Sequence, residues 1–321
     1  MSAASPPPPQ ASGPLIEGLV VHWRSPDALA RLVAAWPRDP RWSLVIVDNS
    51  GELDAWSPQP GLRVLRPGAN LGFAGGVNHA LASSGAPLVL LLNPDARPLA
   101  GALEELARAL ESHPDWAGAA PRLAGEDGQP QYDWQLRSLP RPGGLLRQVF
   151  FLRGVPRLRA EPAEGAPIAQ PAAAVLLLRR SVLRELGGLD AEFHPAWFED
   201  VDLAARLARA GKTVHYWPRA AFVHGLGGSL DPLGYGPFLW IYYRNLVRYL
   251  RKHHGRAWAA AALVCLPAAA LARALVLPLR RPRRARDRGD ALKGLAELAL
   301  GAATGFRAPR RLRRAFLAPG P

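Results

Sequence analysis

Residues 87–92 read Pro-Leu-Val-Leu-Leu-Leu, without one polar side chain, and run straight into Asn93-Pro94-Asp95. A short apolar run closed by a polar turn reads as a buried strand. The neighbouring sequence supplies the sheet that such a strand needs. Residues 15–22 and 43–47 are further apolar runs, the second ending in Asp48-Asn49-Ser50-Gly51, and residues 62–65 make a short strand. Between the first two, residues 26–36 read as a helix, with Ser25 as a possible cap and Pro26 at its first position. Residues 70–81 read as a glycine-rich loop entering a helix, and residues 100–112 as another helix ahead of a strand at 116–120. Strand, helix, strand, glycine loop, helix, strand predicts an open α/β sheet. Ligands of such sheets bind beyond the carboxyl ends of the strands, and two of those ends carry acids here, Asp48 and Asp95.

Residues 121–170 are rich in Pro, Gly and Arg and lack a period, which predicts loops. Residues 172–178 read as a strand, 180–186 as a helix closed by Gly187-Gly188, 213–217 as a strand followed by Phe222-Val223-His224, and 235–254 as an aromatic helix. Between them an apolar approach, Phe193-His-Pro-Ala-Trp-Phe198, ends in Glu199-Asp200 and a helical pattern that stops at Gly211. Helical spacing puts Asp200 with Leu203, Ala204 and Leu207 on one face, and Asp202 with Arg206 and Arg209 on another. The expectation is an Asp200 on the buried side of the first turn and a solvated Asp202 paired with Arg206 at i,i+4. Acids at a helix start are either favoured by the helix dipole or a catalytic base; this stretch alone leaves both open.

Charge and cysteine usage narrow the classes. One cysteine in 321 residues, Cys265, excludes an internal disulfide and fits a reducing compartment. No zinc-type Cys/His cluster is present. The net charge of +14 is concentrated late, at Arg280, Arg281, Arg283, Arg284, Arg286 and Arg288 and again at Arg310, Arg311, Arg313 and Arg314. A basic tail on a nearly neutral body favours an anionic membrane surface, and no nucleic-acid-binding signature is found. Residues 1–14 lack a positive cluster and an apolar core, which predicts a flexible leader and no signal peptide. Residues 258–279 approach the length of a membrane span but are interrupted by Pro267, Arg273 and Pro278. An arginine inside a span is costly, so an interfacial or re-entrant segment on the cytoplasmic leaflet is expected, against a helical pair packed on the domain. Residues 291–300 read as a second amphipathic piece.

Four positions could carry chemistry. Asp48 could accept hydrogen bonds from a base or ribose, or simply close a turn. The stretch Asn70 to Gly76 is neither a Rossmann nor a Walker fingerprint, yet it places amides at a helix start, suited to phosphate or ribose. Asn93-Pro94-Asp95 offers oxygen to Mg2+ or Mn2+, or is a plain turn. His224 could complete a metal shell or donate to a diphosphate, or be structural.

In order along the chain, Ile46-Val-Asp-Asn-Ser50, Asn70-Leu-Gly-Phe-Ala-Gly-Gly-Val-Asn78, Leu91-Leu-Asn-Pro-Asp95, Gly187-Gly-Leu-Asp190, Glu199-Asp-Val-Asp-Leu203 with Arg206 and Gly211, and His224 with Ser229 resemble the family 2 glycosyltransferases of the GT-A fold. The closest likeness is to the bacterial rhamnosyltransferase-like branch. The resemblance implies a Rossmann-like mixed open sheet flanked by helices over residues 15–250, followed by a basic, apolar helical region at 251–321 that associates with membranes. It implies that Asp48 contacts the base, that Asn70, Gly72, Phe73, Gly75, Asn78 and Asn93 bind the nucleotide sugar, and that Asp95, with His224, holds the divalent cation. Asp200 would be the base with Glu199 beside it, and Trp197, Phe198 and Asp190 would shape the acceptor pocket. The chain departs from the family at His22-Trp23-Arg24, where an Asn is usual, at Asn93 in place of the first acid of Asp-x-Asp, and at Phe193 to Phe198.

The expected activity is an inverting, metal-dependent transfer from a nucleoside diphosphate sugar to a cell-surface glycan or lipid-linked acceptor, on the inner face of the cytoplasmic membrane. dTDP-rhamnose is the favoured donor, with UDP-galactose and UDP-glucose open. Trp197 and Phe198 are expected to raise the pKa of the base by desolvation. A nucleotidyltransferase-like enzyme and a non-catalytic membrane-surface scaffold are the alternatives.

Overall fold

A computed structural model describes residues 13–54, 56, 59–150, 158, 160–225, 233–279 and 282–307. The leader up to residue 12, Ser229, Arg280, Arg281 and the arginines from 310 onward lie outside the described residues. The first half runs β1 (Ile16–His22), α1 (Pro26–Ala35), β2 (Trp42–Asp48), β3 (Leu62–Leu65), α2 (Gly72–Ser83), β4 (Leu88–Leu92), β5 (Ala96–Pro98), α3 (Ala102–Ser112) and β6 (Gly118–Ala124). The middle holds α4 (Tyr132–Gln135), β7 (Leu136–Arg137), α5 (Pro142–Val149), β8 (Pro167–Ile168), β9 (Gln170–Pro171), β10 (Val175–Arg179) and α6 (Arg180–Glu185). A 3-10 turn (Ala191–Phe193) leads to α7 (Glu199–Arg209), β11 (Val214–His224), α8 (Tyr235–His253), α9 (Arg256–Val276) and α10 (Arg288–Ala303).

The main sheet has the order β3-β2-β1-β4-β10-β6-β11-β5, with β8 also on β11. Strands β3, β2, β1 and β4 are parallel, and β10 runs antiparallel to both its neighbours. The apolar run at 87–92 is β4, buried at every position. A strand apolar on both faces needs helices on both, and alternate residues serve the two layers. Leu90 and Leu92 pack with Leu29 and Leu32 of α1 and Leu103 and Leu106 of α3. Val89 and Leu91 pack with Val77 of α2, Leu183 of α6 and Leu203 and Leu207 of α7.

A third apolar cluster joins α5 and α7 to the three C-terminal helices, through Val149, Phe198, Val201, Leu239, Tyr249, Leu266 and Leu298. Residue 250 therefore falls inside α8, and the helices on either side of it share one core. Two glycines let α8 and α10 cross closely: a Cβ on Gly294 would lie 2.9 Å from the Gly236 Cα.

Several sequence expectations need correction. Among its described residues, the segment 121–170 holds α4, α5 and three short strand pieces, β7, β8 and β9, of which β7 and β9 pair as a separate two-stranded ribbon. These pieces are two to eight residues long, too short for a hydrophobic period to show. The glycine stretch is helical from Gly72 onward. The two runs at 213–224 are one strand with a register shift between Trp217 and Ala221. Ser25 makes no side-chain cap bond. Helix α9 continues through Pro267 and past Arg273, because Arg273 points into protein: its Nη2 donates to the Val149 carbonyl at 2.8 Å and to the Tyr243 hydroxyl.

Candidate active site

A cavity of about 480 Å3 opens at the carboxyl end of the parallel strands. Trp23 and Asn49, which follow β1 and β2, line it. Asn49 donates from Nδ2 to the Gly72 carbonyl at 3.1 Å and accepts from the Leu71 amide at 3.3 Å. Arg24 lies over the Trp23 ring at 5.1 Å, in the place where the family pattern has an Asn.

Gly72, at φ +68°, is where the two ends of the cavity meet. A Cβ there would come within 2.7 Å of the His194 ring and 2.9 Å of the Pro195 Cα. Phe73 donates its amide to the Pro195 carbonyl at 2.7 Å, and His194 Nε2 donates to the Asn70 carbonyl at 3.0 Å. The nucleotide-side loop and the aromatic approach to Glu199-Asp200 are thus one interlocked unit.

The approach is held from behind by α8. Asn245, fully buried, donates from Nδ2 to the carbonyls of Phe193, Ala196 and Trp197 at 2.9, 2.8 and 3.0 Å. Trp197 and Phe198 sit at φ +72° and +73°, a region costly for side chains with a Cβ. Aromatic packing adds to the hold, with Trp197 edge-on to Phe238 at 5.1 Å and Phe198 against Tyr242 at 5.3 Å.

The two adjacent acids behave differently. Asp200 lines the cavity, with Oδ2 accepting from Gln170 Nε2 at 3.4 Å and lying 3.8 Å from the Arg137 guanidinium. Both partners come from the β7–β9 ribbon. Burial, and then the charge of Asp200, push the Glu199 carboxyl well above the ordinary 4.5. Its Oε2 is buried without a hydrogen-bond partner. Asp202 does not face solvent as helical spacing suggested. It is fully buried and bonded by Arg206 Nε, Lys252 Nζ and His253 Nε2, each at 2.7 Å. Burial alone would raise its pKa, but the hydrogen bonds from His253, Lys252 and Arg206 outweigh it and hold it at about 2.

At the other wall, Asn93, Trp134 and His224 line the cavity, with Asp95 Oδ1 3.6 Å from His224 Nε2. Gln131 Nε2 donates to the His224 carbonyl at 2.9 Å, which leaves Oε1 as acceptor for His224 Nδ1 at 3.0 Å. His224 Nδ1 therefore carries the proton, and Nε2, buried without a hydrogen-bond partner, presents a lone pair toward the Asp95 carboxylate. Burial lowers the His224 pKa, and the Asp95 charge only partly opposes this. A neutral imidazole lone pair facing a carboxylate fits a divalent cation. Among the described residues no group of three His, Cys, Asp or Glu side chains could hold a metal by itself, so the remaining ligands would have to be oxygens of a bound molecule.

Of the residues singled out from sequence, Asn70, Gly72, Phe73, Asn93, Trp197, Phe198, Glu199, Asp200 and His224 line this one cavity. Asp48, Gly75, Asn78, Asp95 and Asp190 are not among its lining residues. Asp48 spends its oxygens on the amides of Ser50, Gly51 and Leu53 at 3.1, 2.9 and 2.9 Å. Asn78 makes a two-way bond to the Leu189 backbone at 2.7 and 2.8 Å. Asp190 caps the 3-10 turn and pairs with Lys252 at 2.6 Å. The structure adds Trp134, Arg137, Gln148, Gln170, Tyr242 and Arg284 to the wall. The first four lie in or at the end of the segment read as loop, where only the residue types were a signal.

The family described as Glycosyl transferase family 2 matches residues 23–187. The N-acetylglucosaminyl-diphospho-decaprenol L-rhamnosyltransferase of Mycobacterium tuberculosis is 30% identical over 245 residues, covering 68% of this chain and 77% of that protein. Among solved structures, GalNAc-T7 with UDP, GalNAc and Mn2+ is similar in fold at a TM-score of 0.54 and 14% identity; the likeness covers 77% of this chain, which spans about half, 52%, of that one. The mannosyltransferase PcManGT from Pyrobaculum calidifontis, in complex with GDP-Man and Mn2+, is 18% identical with a TM-score of 0.49, over 92% of this chain and 87% of its own.

Proposed function

The chain belongs to the family 2 glycosyltransferases, in the rhamnosyltransferase-like branch, and from that premise we propose that it moves L-rhamnose from dTDP-rhamnose to a lipid-linked glycan with inversion. The observation that carries this reading is the 30% identity, over 68% of this chain, to a relative whose name states a rhamnosyl transfer and a diphospho-decaprenol acceptor. The donor lies across the strand ends, between Asn49, Asn70 and Asn93. Asp200 removes the proton from the acceptor hydroxyl as that oxygen bonds to the anomeric carbon. The bond from that carbon to the diphosphate breaks on the opposite face, and the nucleoside diphosphate leaves with the electron pair.

Arg137 and Gln170 keep the Asp200 carboxylate turned into the cavity, as their distances to Oδ2 support. Asp95 and His224 would hold a divalent cation, Mg2+ or Mn2+, which when bound supplies Lewis-acid stabilisation of the leaving diphosphate. Glu199, whose carboxyl burial pushes well above its ordinary value, packs behind Asp200 and supports the loop. The acceptor enters past Trp197 and Arg284, on the side of the C-terminal helices, so the enzyme works at the cytoplasmic face of a membrane.

A donor screen tests this. The full chain is offered dTDP-rhamnose, UDP-glucose, UDP-galactose and GDP-mannose, with and without Mn2+ or Mg2+, and nucleoside diphosphate release is measured. Release from dTDP-rhamnose alone, dependent on the cation, is expected. Release from another donor, or none from any, overturns the rhamnose assignment; release unaffected by chelation overturns the role of the cation.

A further inference from the structure

We propose that the outward face of α9 is a membrane-docking surface, and that α9 lies in the plane of the bilayer interface without crossing it. By length and composition α9 could cross a bilayer, but its two faces are unlike. Ala262, Leu266, Ala269 and Ala270 are buried against the neighbouring helices. On the other side Ala257, Ala260, Val264, Ala268, Leu271 and Leu275 recur at spacings of three and four and face outward. Val264, Leu271 and Leu275 are 77%, 63% and 72% exposed. From 257 to 272 the helix carries no charge. A water-facing stripe is normally polar; one this apolar over five turns asks for an apolar neighbour.

Arg273 decides between lying on the membrane and spanning it. It is nine residues from Val264, about 180° around a helix at ~100° per residue, and is 6% exposed. Its bonds to the Val149 carbonyl and the Tyr243 hydroxyl are made only while α9 stays on α5 and α8. A spanning α9 would have to leave those partners and carry the guanidinium into hydrocarbon. Half-immersed, it keeps them and buries only the stripe.

Charge and position name the occupant as a bilayer containing anionic phospholipid. Exposed Arg283, Arg286 and Arg288 lie beyond the C-terminal end of the stripe, and Leu279, 89% exposed, extends it past the helix. Five residues later Arg284 lines the active-site cavity, its guanidinium over Phe238 at 4.7 Å, and Phe238 packs on Trp197. The acceptor end of the cavity is thereby tied to the docking face. The inference deepens the reading of a lipid-linked acceptor and rests on that reading for what is presented there.

Nitroxide depth measurements test it in the full chain with Cys265→Ala. Single labels are placed by Ala257→Cys, Val264→Cys, Leu271→Cys and Leu275→Cys, and their oxygen and nickel-chelate accessibility is read on phosphatidylglycerol/phosphatidylcholine vesicles. All four labels at one shallow depth, with binding lost on pure phosphatidylcholine, is the expected result. A depth that changes steadily from 257 to 275 means a span, and labels that stay in water, or that are covered by a second copy without vesicles, mean no docking; each overturns the proposal. Donor hydrolysis by the same labelled chains, without vesicles, reports separately on sugar transfer. Its absence beside an intact depth pattern would sink the proposed reaction and leave the docking surface standing.

Discussion

Gln131 and His224 are joined twice: the Gln131 amide donates to the His224 carbonyl at 2.9 Å, and the His224 ring donates from Nδ1 to Gln131 Oε1 at 3.0 Å. A carbonyl can only accept, so the first bond orients the amide and the second then fixes the tautomer of the ring. The ring is also stacked on Trp134 at 5.2 Å. Nε2 is left as a lone pair held in place from two directions.

If that lone pair takes a cation, Gln131→Leu should weaken metal affinity by about 10–100-fold, the usual cost of losing a partner behind a metal-binding histidine. Gln131→Glu keeps an acceptor for Nδ1 and should lose less. Titration of donor hydrolysis with Mn2+ reads both. Equal, small effects from the two changes would mean that the tautomer does not matter.

The neighbouring acids Glu199 and Asp200 should separate cleanly. Asp200→Asn should lower turnover by about 10^2–10^4-fold, the range of general-base catalysis, with donor affinity retained. Glu199→Gln should keep most activity and change stability instead. A carboxyl whose folded pKa is raised contributes stability below 4.5 that is lost as pH rises toward its folded value. The amide has no proton to lose, so the melting temperature of the variant should gain on the natural protein as pH rises from 4.5. A loss of turnover with Glu199→Gln equal to that with Asp200→Asn would reverse the assignment.

Asp202 gives the opposite sign. Its folded pKa is held at about 2 against an ordinary 3.8. The stability it contributes is complete above 3.8 and is lost as pH falls through about 2. At about 1.4 kcal/mol per unit this is on the order of 2 kcal/mol. Asp202→Asn leaves Lys252 and His253 of α8 and Arg206 of α7 without their buried partner, and a broken buried pair costs about 3–5 kcal/mol. Urea unfolding at neutral pH should show a loss of that size, shrinking below pH 3.8. An unchanged midpoint would mean that the three donors gain as much from water.

Asp202 also shows what could and could not be read from sequence. The i,i+4 pairing with Arg206 was legible and is present, but helical spacing gives only an angle around α7. What stands at that angle is the end of α8, some fifty residues later. The parallel half-sheet was legible because β1, β2 and β4 are apolar runs ended by turns. The β7–β9 ribbon was not, since two-residue strands have no period, and so Arg137 and Gln170 went unseen beside Asp200. Asp48 was recognisable as a strand-end acid, but only the fold brings its oxygens onto the amides of Ser50, Gly51 and Leu53. Arg273 looked like a break in an apolar segment, and the polar groups that accept it come from α5 and α8.

Asn245 offers the sharpest separation of acceptor from donor effects. Its amide has two hydrogens and serves three carbonyls, those of Phe193, Ala196 and Trp197, so at least one hydrogen is shared. Its own Oδ1 accepts from Arg244 at 3.1 Å, a guanidinium that burial brings down to about 10. Backbone at φ +72° and +73° on Trp197 and Phe198 costs about 1–3 kcal/mol per residue and persists only where neighbours over-determine it. Asn245→Asp keeps the volume and Oδ1 but loses both donors, leaving buried carbonyls facing a carboxylate; each unsatisfied group costs about 1–3 kcal/mol. The strained turn should then relax, carrying Trp197 away from Phe238, while Asn49 keeps its bonds to Leu71 and Gly72 on the donor side. The acceptor KM should rise by about tenfold or more, as for a loss of ~1.4 kcal/mol, with donor hydrolysis near the natural rate. A donor KM that rises equally would place the effect in the interlock through Gly72, and an unchanged acceptor KM would remove the turn from acceptor recognition.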